Sequence, residues 1–317
     1  MRTPKPAFSC LTLDMGADSI RLMEVSLTGN GPRMREIHRF SNLHVIRNGF
    51  DCWDLDHIRS GIGKGLHLAR EAGGIHPLSI GVDSWGVDTI WMEESGRVSA
   101  PPVSYRDQRT RDMPRLWAER MSEVETFRRT GIQSTAFNTL YQLLAQKLNG
   151  GWPDACRLLF IPSYINYLLS GHIHNELTIA STSQLLQARG RQWDEEILRL
   201  LDLEPGRLGE VIPPGTHLGP VRWPGAPHME TVAVCGHDTA CVVAALPPEE
   251  EGRAFLVAGT WCILGVNAAA RSHLTDAARN LGFTNERAYP DRCRVLKNLV
   301  GLWLVQGLRR SWMDEPT

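Results

Sequence analysis

The chain has 317 residues, of which 42% are apolar and 22% charged, and its formal net charge at pH 7 is -1. This composition provides cores for two domains of ordinary size and excludes a disordered chain or a small disulfide-stabilised protein. A net charge near zero gives no general attraction to nucleic acid or to an anionic membrane, so neither is an expected partner.

The first part of the chain is predicted to form strands followed by a helix. Alternating apolar residues predict strands at 8–13 and 20–27, joined by a short turn, and a third strand at 33–42. A helix is expected next, because Asp54 or Asp56 can cap its start and apolar residues follow at helical spacing.

The middle of the chain is predicted to be mainly helical. The segment 77–98 is typical of a strand, a glycine-bearing turn and a second strand, and helices are expected after residue 109. The clearest helical segments are 137–150 and 157–171, each ended by glycine. The Pro/Gly-rich connection at 203–227 is expected to form neither a helix nor a strand ladder.

The last third returns to mixed structure. A strand is predicted at 231–235, a helix at 238–246, and a strand, glycine turn and strand at 254–267. An amphipathic helix is predicted at 293–310. Mixed strands and helices, with an antiparallel hairpin near the start, predict an α/β protein.

Cysteine usage and the absence of apolar segments predict the compartment. The seven cysteines form no C-x-x-C pair and no closely spaced Cys/His set of the kind that binds zinc. The start of the sequence lacks the apolar core of a signal peptide, and no later run reaches the length of a membrane span. We therefore expect a reduced, cytoplasmic protein.

A carboxylate and a glycine turn follow the first predicted strand, in the segment LDMGADSIR. Backbone N–H groups of such a turn can surround a phosphate, with Asp14 beside the magnesium ion that neutralises its charge. A plain β-hairpin that uses Asp and Gly for turn geometry explains the same residues and is commoner for this motif alone. The segment AGTWCILG repeats the pattern, so the two turns could together hold a polyphosphate.

An acidic residue lies at a break between a strand and a helix in the segment GHDTA. Asp238 at this position can cap the helix, or it can accept the proton of a substrate hydroxyl group as a general base. Two further segments, VDSWGVDTIW and YRDQRT, either contact a polar sugar or form a structural charge network through Asp83, Asp88, Arg106 and Asp107.

Taken in order along the chain, the motifs resemble those of one protein family. LDMGADSIR, GVDSWGVDTIW, PVSYRDQRT, GIQSTAFNTLYQL, GHDTA, AGTWCILG and RVLKNLVGLWLVQ together resemble the FGGY carbohydrate kinases, from about Cys10 to about Gln306. The resemblance implies an α/β protein with an actin-like, ribonuclease-H-like ATPase fold, in which a cleft separates two domains. Residues 1–247 would form the sugar-binding kinase domain, and residues 248–317 part of the ATP-side domain.

The similarity is strongest to the members of the family that act on L-rhamnulose, a ketose sugar. It implies transfer of the γ-phosphoryl group of MgATP to the 1-hydroxyl group of that sugar, in rhamnose catabolism. Asp238 resembles the proton acceptor, and the implied substrate contacts are Gly86, His237, Asp238, Thr239 and Asn298. The implied ATP contacts are Ala17, Asp18, Ser19, Ile20, Arg21, Thr260 and Gln306, with Asp14 holding Mg²⁺ through water.

Two departures from the family pattern bear on function. The family's phosphate turn is typically GASSGR, whereas this chain has GADSIR, so Asp18 and Ile20 are expected to weaken ATP binding. The sequence is also shorter than the family's members and stops before their Gly-rich segment, so we expect an incomplete second domain with exposed apolar surface. An active kinase, a kinase completed by a second polypeptide, and a non-catalytic sugar-binding remnant or fragment all remain open.

Overall fold

A computed structural model describes residues 8–29, 31–72, 76–154, 156–246, 253–258, 261–269 and 274–312. Its strands are β1 (Phe8–Met15), β2 (Ser19–Thr28), β3 (Gly31–Ser41), β4 (His44–Arg47), β5 (Phe50–Trp53), β6 (Ser79–Ser84), β7 (Thr89–Glu93), β8 (Cys156–Phe160), β9 (Asn175–Glu176), β10 (Val211–Ile212), β11 (Thr216–Pro220), β12 (Glu230–Ala233), β13 (Ala254–Ala258), β14 (Trp261–Ala269), β15 (Thr284–Ala288) and β16 (Arg292–Val300). Its helices are α1 (Leu55–Glu71), α2 (Met113–Ala118), α3 (Glu123–Thr130), α4 (Thr139–Leu148), α5 (Ile161–Ser170), α6 (Leu177–Ala180), α7 (Glu195–Leu201), α8 (Asp238–Ala244), α9 (Asp276–Asn280) and α10 (Trp303–Trp312). Short 3₁₀ helices lie at Gln108–Thr110, Ser181–Ser183 and Pro205–Arg207.

A six-stranded sheet has the strand order β11-β12-β6-β1-β2-β3. Strands β1, β2 and β3 are antiparallel neighbours, whereas β12, β6 and β1 run parallel. Leu11, Leu13 and Met15 of β1 are fully buried in one core with Ile58 and Ile62 of α1. Full burial of such a side chain contributes about 1.5–3 kcal/mol to stability. The carboxyl ends of the parallel strands therefore meet at one firmly held edge.

A second, four-stranded antiparallel sheet has the order β13-β14-β16-β15. Its edge strand β15 is hydrogen-bonded to the helical region: Asn285 N donates to Gly131 O at 2.9 Å, and Arg287 N donates to Ser181 Oγ at 2.9 Å. These bonds place one end of the second sheet beside the strand-end edge of the first. In the described part of the chain, no helix combines the length and the apolar composition needed to cross a membrane.

Most of the predicted elements are confirmed. Strands β1, β2 and β3 match the predictions for the start of the chain, and α1 begins after Asp54, whose side chain accepts from His57 N at 3.0 Å. Strand β12, helix α8 and the pair β13 and β14 also lie where the sequence predicted them. The local patterns were therefore sufficient to locate these elements.

Three predictions about elements are wrong in part. The first half of the helix predicted at 293–310 is strand β16, which lies between β14 and β15 and is buried through four successive residues, so its apolar pattern does not alternate. The first residues of the helix predicted at 157–171 form β8, which pairs with β7. The connection at 203–227 contributes β11, an edge strand, where Pro and Gly are tolerated.

Exposed apolar side chains lie on β13, β16 and α10, and we expect them to cause self-association. Leu256 is 59% exposed, Val305 61% and Trp312 79%. An exposed apolar surface of this kind favours contact between copies. Sedimentation velocity should show an average mass that rises with concentration, and the double substitution Val305→Lys and Leu308→Lys should reduce the rise.

Ile46→Lys provides a matched control, because Ile46 on β4 is 69% exposed and lies outside this apolar surface. It should leave the concentration dependence unchanged. A wild-type chain that sediments as a monomer at every concentration would contradict the expectation.

Candidate active site

A cavity of about 1000 Å³ opens where the strand ends of the first sheet face the second sheet. Carboxyl ends of parallel strands leave such a crevice in open α/β sheets. Its walls come from the turn after β1, the end of β6, the loop at 105–106, the start of α8, and strands β15 and β16. Residues far apart in sequence therefore share one space.

Most of the predicted site residues line this cavity. They are Asp14, Ala17, Asp18, Ser19, Arg21, Gly86, His237, Asp238, Thr239 and Asn298. Ile20 is an exception because its side chain is fully buried in the core, so only its backbone can face a ligand. Thr260 lies outside the described residues, and Gln306 lies on α10 with its side chain outside the described part.

Asp238 is the first residue of α8, and its side chain is 41% exposed. Its Oδ1 accepts hydrogen bonds from Thr239 N at 2.5 Å and from Thr239 Oγ1 at 3.1 Å. Among the described residues, none donates a hydrogen bond to the other oxygen, Oδ2. One oxygen is thus held by the neighbouring residue while the carboxylate keeps the capacity to accept a proton.

Glu176, which the sequence analysis did not single out, fixes the backbone just before Asp238. Its buried Oε2 accepts from Gly236 N at 2.7 Å and from Thr178 Oγ1 at 2.7 Å, while Ser84 N donates to Gly236 O at 2.9 Å. A Cβ atom on Gly236 would lie 2.9 Å from Glu176 Oε2, so the position requires glycine. Burial raises the pKa of Glu176, although the hydrogen bonds from Thr178, Gly236 and Ile179 offset part of that rise.

His237 is held by an ion pair from the second sheet. Arg294 on β16 is fully buried and donates from Nη2 to Glu286 Oε2 on β15 at 2.8 Å. His237 Nδ1 lies 3.1 Å from Arg294 Nη2 and 3.2 Å from Glu286 Oε2, and its Nε2 lies 3.4 Å from Asp238 Oδ1. Burial acts to raise the pKa of Glu286, but Arg294 and His237 outweigh it and lower the pKa. The sequence analysis identified neither partner: Arg294 lies within the segment predicted as helix, and Glu286 lies outside the predicted elements.

The turn after β1 is compact and closed by its own backbone. Gly16 N donates to Ser19 O at 3.0 Å, and a Cβ atom on Gly16 would lie 2.9 Å from that oxygen. Asn42 supports the turn by donating from Nδ2 to Gly16 O at 3.0 Å. Asp14 and Arg21 are register partners on β1 and β2 and form an ion pair.

A comparison with protein families shows the family to which these motifs belong. A sequence profile described as the N-terminal domain of the FGGY family of carbohydrate kinases matches residues 9–246. The chain belongs to this family. Rhamnulokinase from Klebsiella pneumoniae (strain 342) is 39% identical to the FGGY chain over 302 residues, which cover 94% of the chain and 61% of that relative. Rhamnulokinase from Oceanobacillus iheyensis is 34% identical over 320 residues, covering 96% of the chain and 66% of that relative.

Solved structures give the same fold. Ligand-bound xylulose kinase from Lactobacillus acidophilus superposes with a TM-score of 0.81 at 14% identity, over 95% of the FGGY chain and 62% of that structure. Plasmodium falciparum glycerol kinase with ADP superposes with a TM-score of 0.78 at 15% identity, over 97% of the FGGY chain and 64% of that structure. The predicted actin-like α/β fold is therefore confirmed. The FGGY chain spans about 61% of the length of the first curated relatives it matches.

The donors near the turn of the FGGY chain fit a hydrated magnesium ion. No group of three or more His, Cys, Asp or Glu side chains in the described ranges is arranged to hold a metal directly. Mg²⁺ retains several waters and usually binds one or two carboxylates together with substrate phosphates. Asp14 at the end of β1, with Asp83 as its register partner on β6, supplies carboxylates of that type.

Asp88 and Asp107 are structural in the FGGY chain. Asp88 is buried, and its Oδ2 accepts from the indole nitrogens of Trp53 at 2.6 Å and Trp85 at 3.0 Å. Asp107 accepts from Asp51 N at 2.9 Å and from Arg109 N at 2.8 Å. Of the alternatives left open for these two residues, the structure supports the charge and hydrogen-bond network behind the cavity wall.

Asp83→Asn should increase the stability of the FGGY chain at pH 7. Burial and the negative charges of Asp14 and Asp238 raise the pKa of Asp83 well above its ordinary value. A carboxyl group with a raised folded-state pKa weakens the fold as the pH rises above its unfolded-state pKa. Calorimetric Tm values should therefore favour the variant at pH 7, and the difference should shrink towards pH 4.

Asp112→Asn is the control for this comparison, because Asp112 is exposed and makes no side-chain capping bond to α2. Its effect on the Tm should be small at both pH values. A constant advantage of Asp83→Asn across the pH range would show that the buried negative charge of Asp83 is not its cause.

Proposed function

We propose that the chain is a sugar kinase that transfers the γ-phosphoryl group of MgATP to the 1-hydroxyl group of L-rhamnulose. The observation that carries this proposal is that Asp238 and the turn at 16–19 line the same cavity. A proton acceptor and a phosphate-binding turn are the two groups that phosphoryl transfer needs within reach of one another. The rhamnulokinase relatives at 34–39% identity support L-rhamnulose over xylulose, fuculose or ribulose.

The sugar would bind between the end of β6 and the start of α8. Gly86 borders this space, and a Cβ atom there would make ordinary contacts, 3.4 Å from His237 Nε2 and 3.5 Å from Thr182 Oγ1. His237, Thr239 and Asn298 supply polar atoms around the same space. Hydrogen bonds to the sugar hydroxyl groups would orient the 1-hydroxyl towards Asp238, and this orientation is a large part of the catalytic effect.

Asp238 would accept the proton of the 1-hydroxyl as its oxygen bonds to the γ-phosphorus atom. The bond from that phosphorus to the β,γ-bridging oxygen breaks, and ADP leaves with the electron pair. Ala17, Ser19 and the backbone of Ile20 would hold the phosphates, with Arg21 kept in place by Asp14. Bound Mg²⁺ would neutralise phosphate charge, and Asp14 would hold it through water.

We also propose that residues 1–247 form the sugar-binding domain and residues 248–317 part of the ATP-side domain. The exposed apolar side chains on β13, β16 and α10 support completion of that domain by further polypeptide. The seven cysteines are all free, which supports the proposed reduced, cytoplasmic location.

The test is a coupled assay of ATP consumption by the purified 317-residue chain with magnesium and L-rhamnulose, run beside the three other ketoses. Consumption that requires a sugar, and is fastest with L-rhamnulose, supports the proposal. Calorimetric binding of L-rhamnulose without ATP consumption would instead support a non-catalytic sugar-binding module. Absence of both would overturn the proposed function.

A further inference from the structure

Arg106 joins two walls of the cavity. It follows Tyr105 in the loop after β7, and its Nη2 donates to Asp18 Oδ1 in the turn after β1 at 3.2 Å. Its Nε donates to the hydroxyl oxygen of Tyr105 at 3.2 Å, and the guanidinium lies 6.0 Å from the ring centre of Trp53. Both Arg106 and Asp18 line the cavity, so this ion pair lies on its surface.

Charge in the described cavity lining is mostly negative. The acidic residues are Asp14, Asp18, Asp83, Asp238 and Glu286, and the arginines are Arg21 and Arg106. Arg21 is paired with Asp14 inside the first sheet. Arg106 is thus the arginine that approaches the turn from the opposite wall, where Gly86 and Tyr105 also lie.

The ion pair between Arg106 and Asp18 can exchange partners at little cost. The side chains are 36% and 59% exposed, and solvent screening makes the contribution of an ion pair this exposed to stability small. A phosphoryl group carries more charge than a carboxylate and accepts two parallel hydrogen bonds from a guanidinium. An incoming phosphoryl group can therefore displace Asp18 from Arg106.

We infer that Arg106 binds the phosphoryl group that is transferred, and that Asp18 holds Arg106 beside the turn until that group arrives. This inference rests on the proposed kinase function. The carboxylate of Asp18 takes the position at Arg106 that the phosphoryl group would take, because Asp18 lies in the turn where the phosphates would bind. Arg106 reaches this turn from the sugar-side wall, and the phosphoryl group crosses between the same two walls.

Arg106→Gln should weaken binding of MgATP about tenfold, as expected for loss of a hydrogen bond between charged groups. Binding of MgADP should remain unchanged, because MgADP lacks the transferred group. Both affinities are measured by calorimetry without sugar. Arg115→Gln is the matched control, since Arg115 pairs with Glu119 on the surface of α2 away from the cavity. Equal losses for both nucleotides, or no loss, would overturn the inference.

Asp18→Ser tests whether Asp18 acts through Arg106. The substitution should tighten MgATP binding in the wild-type background, because it removes a competing anion and releases Arg106. In the Arg106→Gln background the gain in MgATP affinity should be smaller, since the substitution then removes only the repulsion between Asp18 and the phosphates. The same gain in both backgrounds would show that Asp18 does not hold Arg106.

Binding of the sugar phosphate separates failure of this inference from failure of the kinase proposal. Arg106→Gln should weaken binding of L-rhamnulose 1-phosphate about tenfold and leave binding of L-rhamnulose unchanged. If the wild-type chain binds the sugar ligands but neither nucleotide, the kinase proposal fails and this comparison alone decides the role of Arg106. Equal losses for the sugar and its phosphate would overturn that role.

Discussion

Asp238→Asn should lower the kcat of sugar-dependent ATP consumption by about 10²–10⁴-fold, the usual contribution of a general base. The amide keeps the shape of the side chain and can still accept from Thr239 N, so the start of α8 should remain intact. Because the amide cannot take up the proton of the sugar hydroxyl, the loss should fall on kcat. The affinity for L-rhamnulose, measured by calorimetry, should change little.

The control is Asp112→Asn, an exposed carboxylate outside the cavity that should keep full activity. A variant at Asp238 that retains kcat but raises KM would show that this carboxylate only binds the sugar. A variant that loses both activity and its cooperative thermal transition would show that its role is structural.

The sequence contained enough local information to locate Asp238 and the turn after β1. A strand that ends in LDMG and a helix that begins with DTA are signals carried by adjacent residues, because turn and cap geometry depend on immediate neighbours. The structure confirms both elements and brings their residues to one cavity. The order of the motifs along the chain carried the resemblance to the kinase family. That resemblance implied that the turn after β1 and the start of α8 face one cleft.

The buried side chains that hold these residues in place could not be predicted from local sequence patterns. Glu176 precedes Gly236 by 60 residues, and its neighbours LTIA suggest only an ordinary helix start. Arg294 lies on a central strand that was predicted as helix, so its ion pair with Glu286 across the β15–β16 ladder was not foreseen. Contacts between elements decide which buried charges are paired, and a single sequence does not contain those contacts.

The buried carboxylate of Glu176 should have the largest effect on stability. Glu176→Leu removes the acceptor for the backbone N–H groups of Thr178, Ile179 and Gly236 and leaves these donors buried. Unsatisfied buried donors cost about 1–3 kcal/mol each, so the free energy of unfolding should fall by about 3 kcal/mol or more. Denaturant unfolding measures the change, with Glu204→Leu as an exposed control.

Glu176→Gln separates the positioning role of this residue from its role in stability. Its amide oxygen can accept two hydrogen bonds but the amide nitrogen accepts none, so not all of the donors on Thr178, Ile179 and Gly236 keep an acceptor. The fold should survive with the Gly236 peptide displaced. Because displacement by about 1 Å can cost a hundredfold in rate, kcat should fall more than the KM for L-rhamnulose rises. A variant with reduced stability but unchanged kcat would show that Glu176 supports the fold without setting the position of Asp238.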